Sequence, residues 1–201
     1  MARAAEKCPQ RDNFEDCVRL FDAFGAPTIV QEESGLRYFF NEFWTAGQRQ
    51  GHALHEVSYR ACFKPQLPEF FIDRLTSEGE SVYDPFMGRG TTPLQAALQA
   101  RRPMGNDISP VSLLLTRPRL NPPTLDTIAD RLAGVDWSRG ASERDDLLAF
   151  YHPETLRQIC ALRRHLLRHA PPNAAVDPAL DWIRMIALNR LTGHSPGFFS
   201  V

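Results

Sequence analysis

The sequence predicts an α/β fold organised around a strand, a glycine-rich turn, a helix and a second strand, and three observations carry this. The first is Ser81-Val82-Tyr83-Asp84-Pro85-Phe86-Met87-Gly88-Arg89-Gly90-Thr91-Thr92, where a short strand ends on an acid and runs into two closely spaced glycines. The second is the helical pattern that starts at once, with Leu94, Ala97 and Leu98 on one face. The third is Gly105-Asn106-Asp107-Ile108-Ser109-Pro110, which places a second acid 23 residues after the first.

Each part has a local reason. Gly88 and Gly90 let the backbone turn sharply and approach a ligand with no Cβ in the way. Thr91 or Thr92 can supply an N-cap hydroxyl, and Pro93 suits the first helical position, so the helix points its free amide groups at the loop. The stretch from Pro103 to Ile108 is short and bounded by turn residues, as a second strand would be. In such a unit an acid about 20 residues past the glycine turn can accept hydrogen bonds from the hydroxyls of a ribose. The same residues tell against classical dinucleotide binding, because the third glycine that packs the helix and seats a pyrophosphate is missing. A phosphate-binding loop is excluded too, since no Gly-Lys-Ser/Thr ending follows. A ligand with a ribose and a charged amino-acid tail fits better.

At these residues the chain resembles the S-adenosylmethionine-dependent DNA amino-methyltransferases, which modify N4 of cytosine or N6 of adenine. Their cofactor motif is similar to Asp-Pro-Phe-x-Gly-x-Gly-Thr-Thr followed by Gly-x-Asp-Ile-x-Pro, with one departure: Arg89 stands where Ser is common. Ahead of it, Tyr59-Arg60-Ala61-Cys62-Phe63-Lys64-Pro65-Gln66-Leu67-Pro68 resembles the family's Phe/Lys/Pro segment, which precedes a helix leading into the first strand. The resemblance implies a Rossmann-like class I methyltransferase fold, with an incomplete sheet and a helical insertion after the second strand, and S-adenosylmethionine as cofactor. It implies that Phe63, Lys64 and Pro65 wall the methionine end, and that Asp84, Pro85, Phe86, Gly88, Gly90, Thr91 and Thr92 form the floor. Asp107 would hold the ribose, with Ile108 beside the adenine. No metal is expected. The resemblance covers residues 55 to 110 well and the remainder loosely.

The family's catalytic element is an Asp/Asn/Ser-Pro-Pro-aromatic tetrapeptide that holds the exocyclic amine of a flipped base. Asn121-Pro122-Pro123-Thr124 lacks the aromatic and lies in a proline-rich connection, so it is set aside. Ser195-Pro196-Gly197-Phe198 keeps the aromatic but has glycine for the second proline, which leaves Ser195, Pro196 and Phe198 as catalytic candidates. Otherwise the catalytic element is expected beyond residue 201, in a following segment or a second chain. Double-stranded DNA is the expected partner, and cytosine N4 is preferred over adenine N6 because the aromatic-bearing fragment begins with Ser. An RNA amino-methyltransferase, or a non-catalytic cofactor-binding subunit of a split enzyme, would show the same turn.

Around this core, residues 1–50 are expected to be a helical N-terminal extension, with helices at 12–24 and 36–49. The second of these carries Tyr38, Phe39, Phe40, Phe43 and Trp44, read as a core stripe. Residues 51–110 are the cofactor-binding core, and residues 111–201 a helix-rich segment facing DNA. In that segment Leu113 to Arg117 stops at Pro118, Thr124 caps a helix to Gly134, Pro153 opens one to Ala170, and Asp177-Pro178 opens one to about Leu191. A doubly wound sheet returns to a strand after each helix, so this stretch reads as an insertion.

Composition sets the outer bounds. A chain of 201 residues with 43% hydrophobic content can bury a core of ordinary size. No apolar run approaches the roughly 20 residues a bilayer needs, and the polar start lacks a signal-peptide profile, so no membrane association and a cytoplasmic location are expected. Cys8, Cys17, Cys62 and Cys160 are scattered, which suggests isolated buried thiols rather than a zinc ribbon or a disulfide framework. The net charge of −1 divides unevenly: residues 1–150 carry 17 basic against 21 acidic residues, and residues 151–201 six arginines against three acids. Arg157, Arg163, Arg164 and Arg168 share a side of the helix opened by Pro153, either toward phosphates or as an ordinary solvated face. His165 and His169 are four residues apart, but without the acid of a His-Glu-x-x-His motif a metal reading is set aside.

Overall fold

The structure is a computed structural model, and it describes residues 14–44, 51–59, 62–139, 144–171 and 175–191. The chain divides into two compact units, residues 1–112 and 113–201.

In the first unit the described residues form helix α1 (Phe14–Arg19), strands β1 (Ile29–Glu33) and β2 (Leu36–Phe40), and a 3-10 turn at Ala53–His55. Helix α2 (Gln66–Leu75), strand β3 (Ser81–Asp84), helix α3 (Thr91–Leu98) and strand β4 (Arg102–Gly105) follow, and helix α4 (Pro110–Leu120) runs across the division. Strands β3 and β4 pair in parallel, Ser81 opposite Arg102 through Asp84 opposite Gly105. Parallel neighbours need a crossover, and α3 supplies it. Arg101 fastens the entry to β4, donating from Nε to the Thr76 hydroxyl (3.0 Å), from Nη1 to the Gln99 carbonyl (2.6 Å) and from Nη2 to the Thr76 carbonyl (2.7 Å).

The N-terminal region corrects the helical expectation. Residues 36–40 are a strand, antiparallel to β1 with Ile29 opposite Phe40 and Glu33 opposite Leu36. The cause is the Ser34-Gly35 connection, whose φ angles of 54° and 77° are those of a two-residue hairpin turn matching the twist of its strands. The run Leu36-Arg37-Tyr38-Phe39-Phe40 has the aromatic content that favours a pleated strand over a helix. Among the described residues here the helix is Phe14–Arg19, ending before the expected residue 24. The aromatic stripe divides accordingly: Tyr38 and Phe40 are exposed, whereas Phe43 and Trp44 pack on Phe70, with ring centroids 5.4 and 6.0 Å away. Phe21 and Phe71 complete that cluster at 5.6 and 5.3 Å from Phe70. Cys17 is disulfide-bonded, Cys62 exposed and Cys160 half-buried, so the expectation of isolated buried thiols fails for these three.

In the second unit the described elements are helical: the rest of α4, α5 (Leu125–Ala133), 3-10 turns at Trp137–Arg139 and Asp145–Ala149, α6 (Pro153–His169) and α7 (Pro178–Arg190). The three later helices start and stop where their caps dictate. Thr124 accepts from the Thr127 amide, His152 from the Glu154 amide, and Asp177 from the Ala179 and Leu180 amides. Helix α4 instead begins at Pro110 and continues through Pro118 to Leu120, longer than expected. The core gathers Leu166 of α6 and Ala170 just past its end with Leu180 and Ile183 of α7, and Ile128 and Leu132 of α5 pack against it. Buried Asp181 pairs with Arg117 at 2.5 Å and Arg184 at 3.2 Å. No helix among the described residues is long and apolar enough to cross a membrane.

Candidate functional site

The parallel pairing of Asp84 with Gly105 puts the loop after β3 beside the loop after β4, at the carboxyl ends of both strands. That is where open α/β sheets bind ligands. The Met87 amide donates to the Asn106 carbonyl at 3.0 Å and the Asn106 amide to the Asp84 carbonyl at 2.9 Å, which locks the two loops together. Gly105 packs closely here, since a Cβ there would lie 2.6 Å from Met87 Sδ and 3.1 Å from Pro93 Cγ and would have to displace the Met87 thioether.

Asp107 is the hub. One carboxylate oxygen accepts from the Gly88 amide and the other from the Ser109 amide, both at 2.8 Å. Each oxygen keeps acceptor capacity, so the group can shape the turn and still receive hydroxyl donors. The Ser109 amide, then the Gly88 amide, with a smaller contribution from the Ser112 side chain, hold this carboxyl below the usual carboxylate range. A carboxyl whose pKa is lowered by folding stabilises above its unfolded value, about 3.9, and the contribution fades as pH falls through the lower folded value. The Gly88 and Ser109 amide resonances are therefore expected to hold their positions down to roughly pH 4 and to move together only below it; movement near neutral pH would contradict this pairing.

The glycine turn differs in detail from expectation. Gly90, in the left-handed region at φ 80°, stands at the N-cap of α3, and no threonine hydroxyl caps the helix. Thr91 and Thr92 lie inside the helix, which makes Pro93 its third residue rather than its first. Pro93 is tolerated there because the amides of the opening turn have no intrahelical partner. Thr91 is buried, and its hydroxyl oxygen accepts from Arg89 Nε at 3.1 Å, so its part is in holding the turn. Arg89 also donates from Nη1 to the Val57 carbonyl at 3.1 Å, strapping the turn to the preceding segment. Tyr59 follows, with a ring carbon 3.5 Å from where a Cβ on Gly88 would lie.

Of the other expected residues, Asp84 accepts from the Phe86 amide at 3.0 Å, forming a local turn around Pro85. Phe86 and Ile108 are 86% and 101% exposed, two large apolar side chains left bare beside the paired strand ends. Phe63 shares an apolar hollow of about 370 Å³ with Phe71, Val82 and Thr92. Lys64 is exposed and Pro65 stands at the N-cap of α2. Ser195, Pro196 and Phe198 lie outside the described residues.

Known proteins match the same part of the chain. The model of one family, described as DNA methylase, matches residues 25–115. That segment is similar to DNA methylases. The type II methyltransferase M.MjaII of Methanocaldococcus jannaschii is 39% identical over 69 residues, covering 34% of this chain and 13% of that protein. The orphan methyltransferase M.BamHII of Bacillus amyloliquefaciens is 38% identical over 80 residues, 39% of this chain and 29% of that protein. The type II methyltransferase M.MvaI of Kocuria varians is 28% identical over 83 residues, 40% of this chain and 18% of that protein. The chain thus spans under a third of the length of these methylases. No solved structure matches it.

Three features of this segment escaped sequence reasoning. The strap from Arg89 to Val57, the ring of Tyr59 and the close packing at Gly105 are all tertiary. Only Tyr59 carried a sequence signal, as an aromatic just ahead of the Phe-Lys-Pro run.

Proposed function

We propose that this chain carries the S-adenosylmethionine site of a DNA amino-methyltransferase, which transfers a methyl group to an exocyclic amine of a base in double-stranded DNA. The observation that supports it most is the juxtaposition of Asp107 and the glycine turn at the ends of a parallel strand pair, flanked by bare Phe86 and Ile108. A ligand with a flat apolar base, a ribose and a zwitterionic tail matches these groups. Phe86 and Ile108 cover the base, the Asp107 carboxylate accepts from the ribose hydroxyls, and Gly88 and Gly90 allow close approach over Asp84 and Pro85. Phe63, Lys64 and Pro65 wall the tail, with Thr91 and Thr92 behind the turn. Bound there, S-adenosylmethionine would supply an electrophilic methyl group. The protein's share of the reaction is positioning and electrostatics, without a covalent intermediate.

We favour cytosine N4 as the accepting amine, on Ser195 opening the Ser-Pro-Gly-Phe fragment, with Pro196 and Phe198 as its catalytic companions. The small share of each relative that the chain spans supports the other reading, in which further chain or a second subunit supplies the catalytic tetrapeptide. Calorimetry with S-adenosylmethionine, its demethylated product and NAD tests the cofactor assignment. The first two are expected to bind and NAD not to; binding of NAD alone would overturn it.

A further inference from the structure

The second unit contains a polar hollow of about 200 Å³ where the end of α5, the Trp137–Arg139 turn and the last turns of α6 meet. Asp136, Arg139, Arg164, His165, Arg168 and His169 line it. Three guanidinium groups face a single carboxylate, and that carboxylate is already engaged by Arg139 Nε at 2.9 Å and by the Ser138 hydroxyl at 2.5 Å. Arg168 has no acid partner among the described residues. Burial first, and then the neighbouring His169 and Arg168, hold the His165 imidazole below its usual pKa.

Basic residues in the last turn of a helix commonly complement its dipole and bond its carbonyls. That accounts for the placing of Arg168 and His169 in the last turn of α6, while Arg164, further back, donates to the Arg139 carbonyl. It does not account for Arg139, which lies off the helix yet lines the same hollow. A cation is disfavoured, because the guanidinium charges repel it and no cluster of three metal-ligating side chains exists among the described residues.

We infer that this hollow is a seat for a phosphate oxyanion. Guanidinium forks on two elements and imidazole donors suit a tetrahedral group with several acceptor oxygens. The seat lies outside the segment that matches the methylase family. Its source of phosphate, a backbone group of duplex DNA, rests on the function proposed above.

The test uses the full chain with Arg168→Ala, and Arg163→Ala as a control, since Arg163 is exposed on α6 but does not line the hollow. Inorganic phosphate is expected to shift the ring resonances of His165 and His169 in the wild-type protein and in Arg163→Ala, but not in Arg168→Ala. The slope of log affinity for a short duplex against log salt is expected to fall by about 1 in Arg168→Ala alone, with S-adenosylmethionine affinity unchanged. A phosphate response without a duplex effect would keep the seat and assign it to a soluble phosphorylated compound, whether or not the chain binds DNA. No response to phosphate, or equal losses in both variants, would overturn the seat in favour of a solvated basic face.

Discussion

Asp107→Ala is expected to weaken S-adenosylmethionine binding by roughly 10- to 150-fold, the range for losing a hydrogen bond to a charged group. The upper part of that range is the more reasonable, because the substitution removes two things together. The ribose hydroxyls lose their acceptor, and the Gly88 and Ser109 amides lose theirs, so the turn loosens as well. Asp107→Asn separates these contributions only in part, since its NH2 group must face one of the two amide donors. Titration calorimetry on protein shown to be folded measures the loss, and an unchanged dissociation constant would remove Asp107 from the site.

Phe70→Ala is expected to cost about 3 to 5 kcal/mol of stability in the first unit, as for other buried aromatic truncations. Phe70 is buried at the centre of the cluster formed by Phe21, Phe43, Trp44 and Phe71, and the Arg74 guanidinium carbon lies 3.9 Å from its ring centroid. The truncation opens a cavity among four aromatic rings and removes the nearer of two π contacts of Arg74, worth about 0.5 to 2 kcal/mol in itself, leaving Phe21 at 5.6 Å. Burial lowers the pKa of Arg74, and the neighbouring Asp73 opposes that shift. Denaturant dependence of amide exchange in α2 reads the effect. A loss below about 1 kcal/mol would show that the cluster is peripheral to the fold, since exposed substitutions stay within roughly half of that.

What the sequence made legible follows from how local each cause is. Helices α5, α6 and α7 were readable to within a residue because Thr124, Pro153 and Asp177-Pro178 act on the adjacent backbone. The partners in the turn, Asp84, Gly88, Gly90 and Asp107, were readable because a strand, a turn, a helix and a second strand fix their spacing. The β1–β2 hairpin was misread because the aromatic content of residues 36–44 suggested an apolar helix face, whereas two residues, Ser34 and Gly35, decided the geometry. At the start of α3 the hydroxyls of Thr91 and Thr92 looked like caps, but Gly90 takes that position in a conformation that costs it little. The bond from Arg89 to Val57 spans 32 residues, and no local pattern encodes it.

That last bond has a consequence for how a ligand arrives. With Arg89 strapped to Val57, Gly88 tied to Asp107 and Met87 tied to Asn106, the loop surrenders its conformational entropy when the chain folds, not when a ligand docks. Ordering a mobile loop at the moment of association weakens binding by about 0.5 to 1.5 kcal/mol for each rotamer-rich side chain immobilised. Here a long, rotamer-rich arginine, in the place where a short serine is common, has already been immobilised against main-chain and hydroxyl oxygens. Arg89 thus braces the turn through the Thr91 hydroxyl and the Val57 carbonyl, and on the function proposed above that brace is preorganisation.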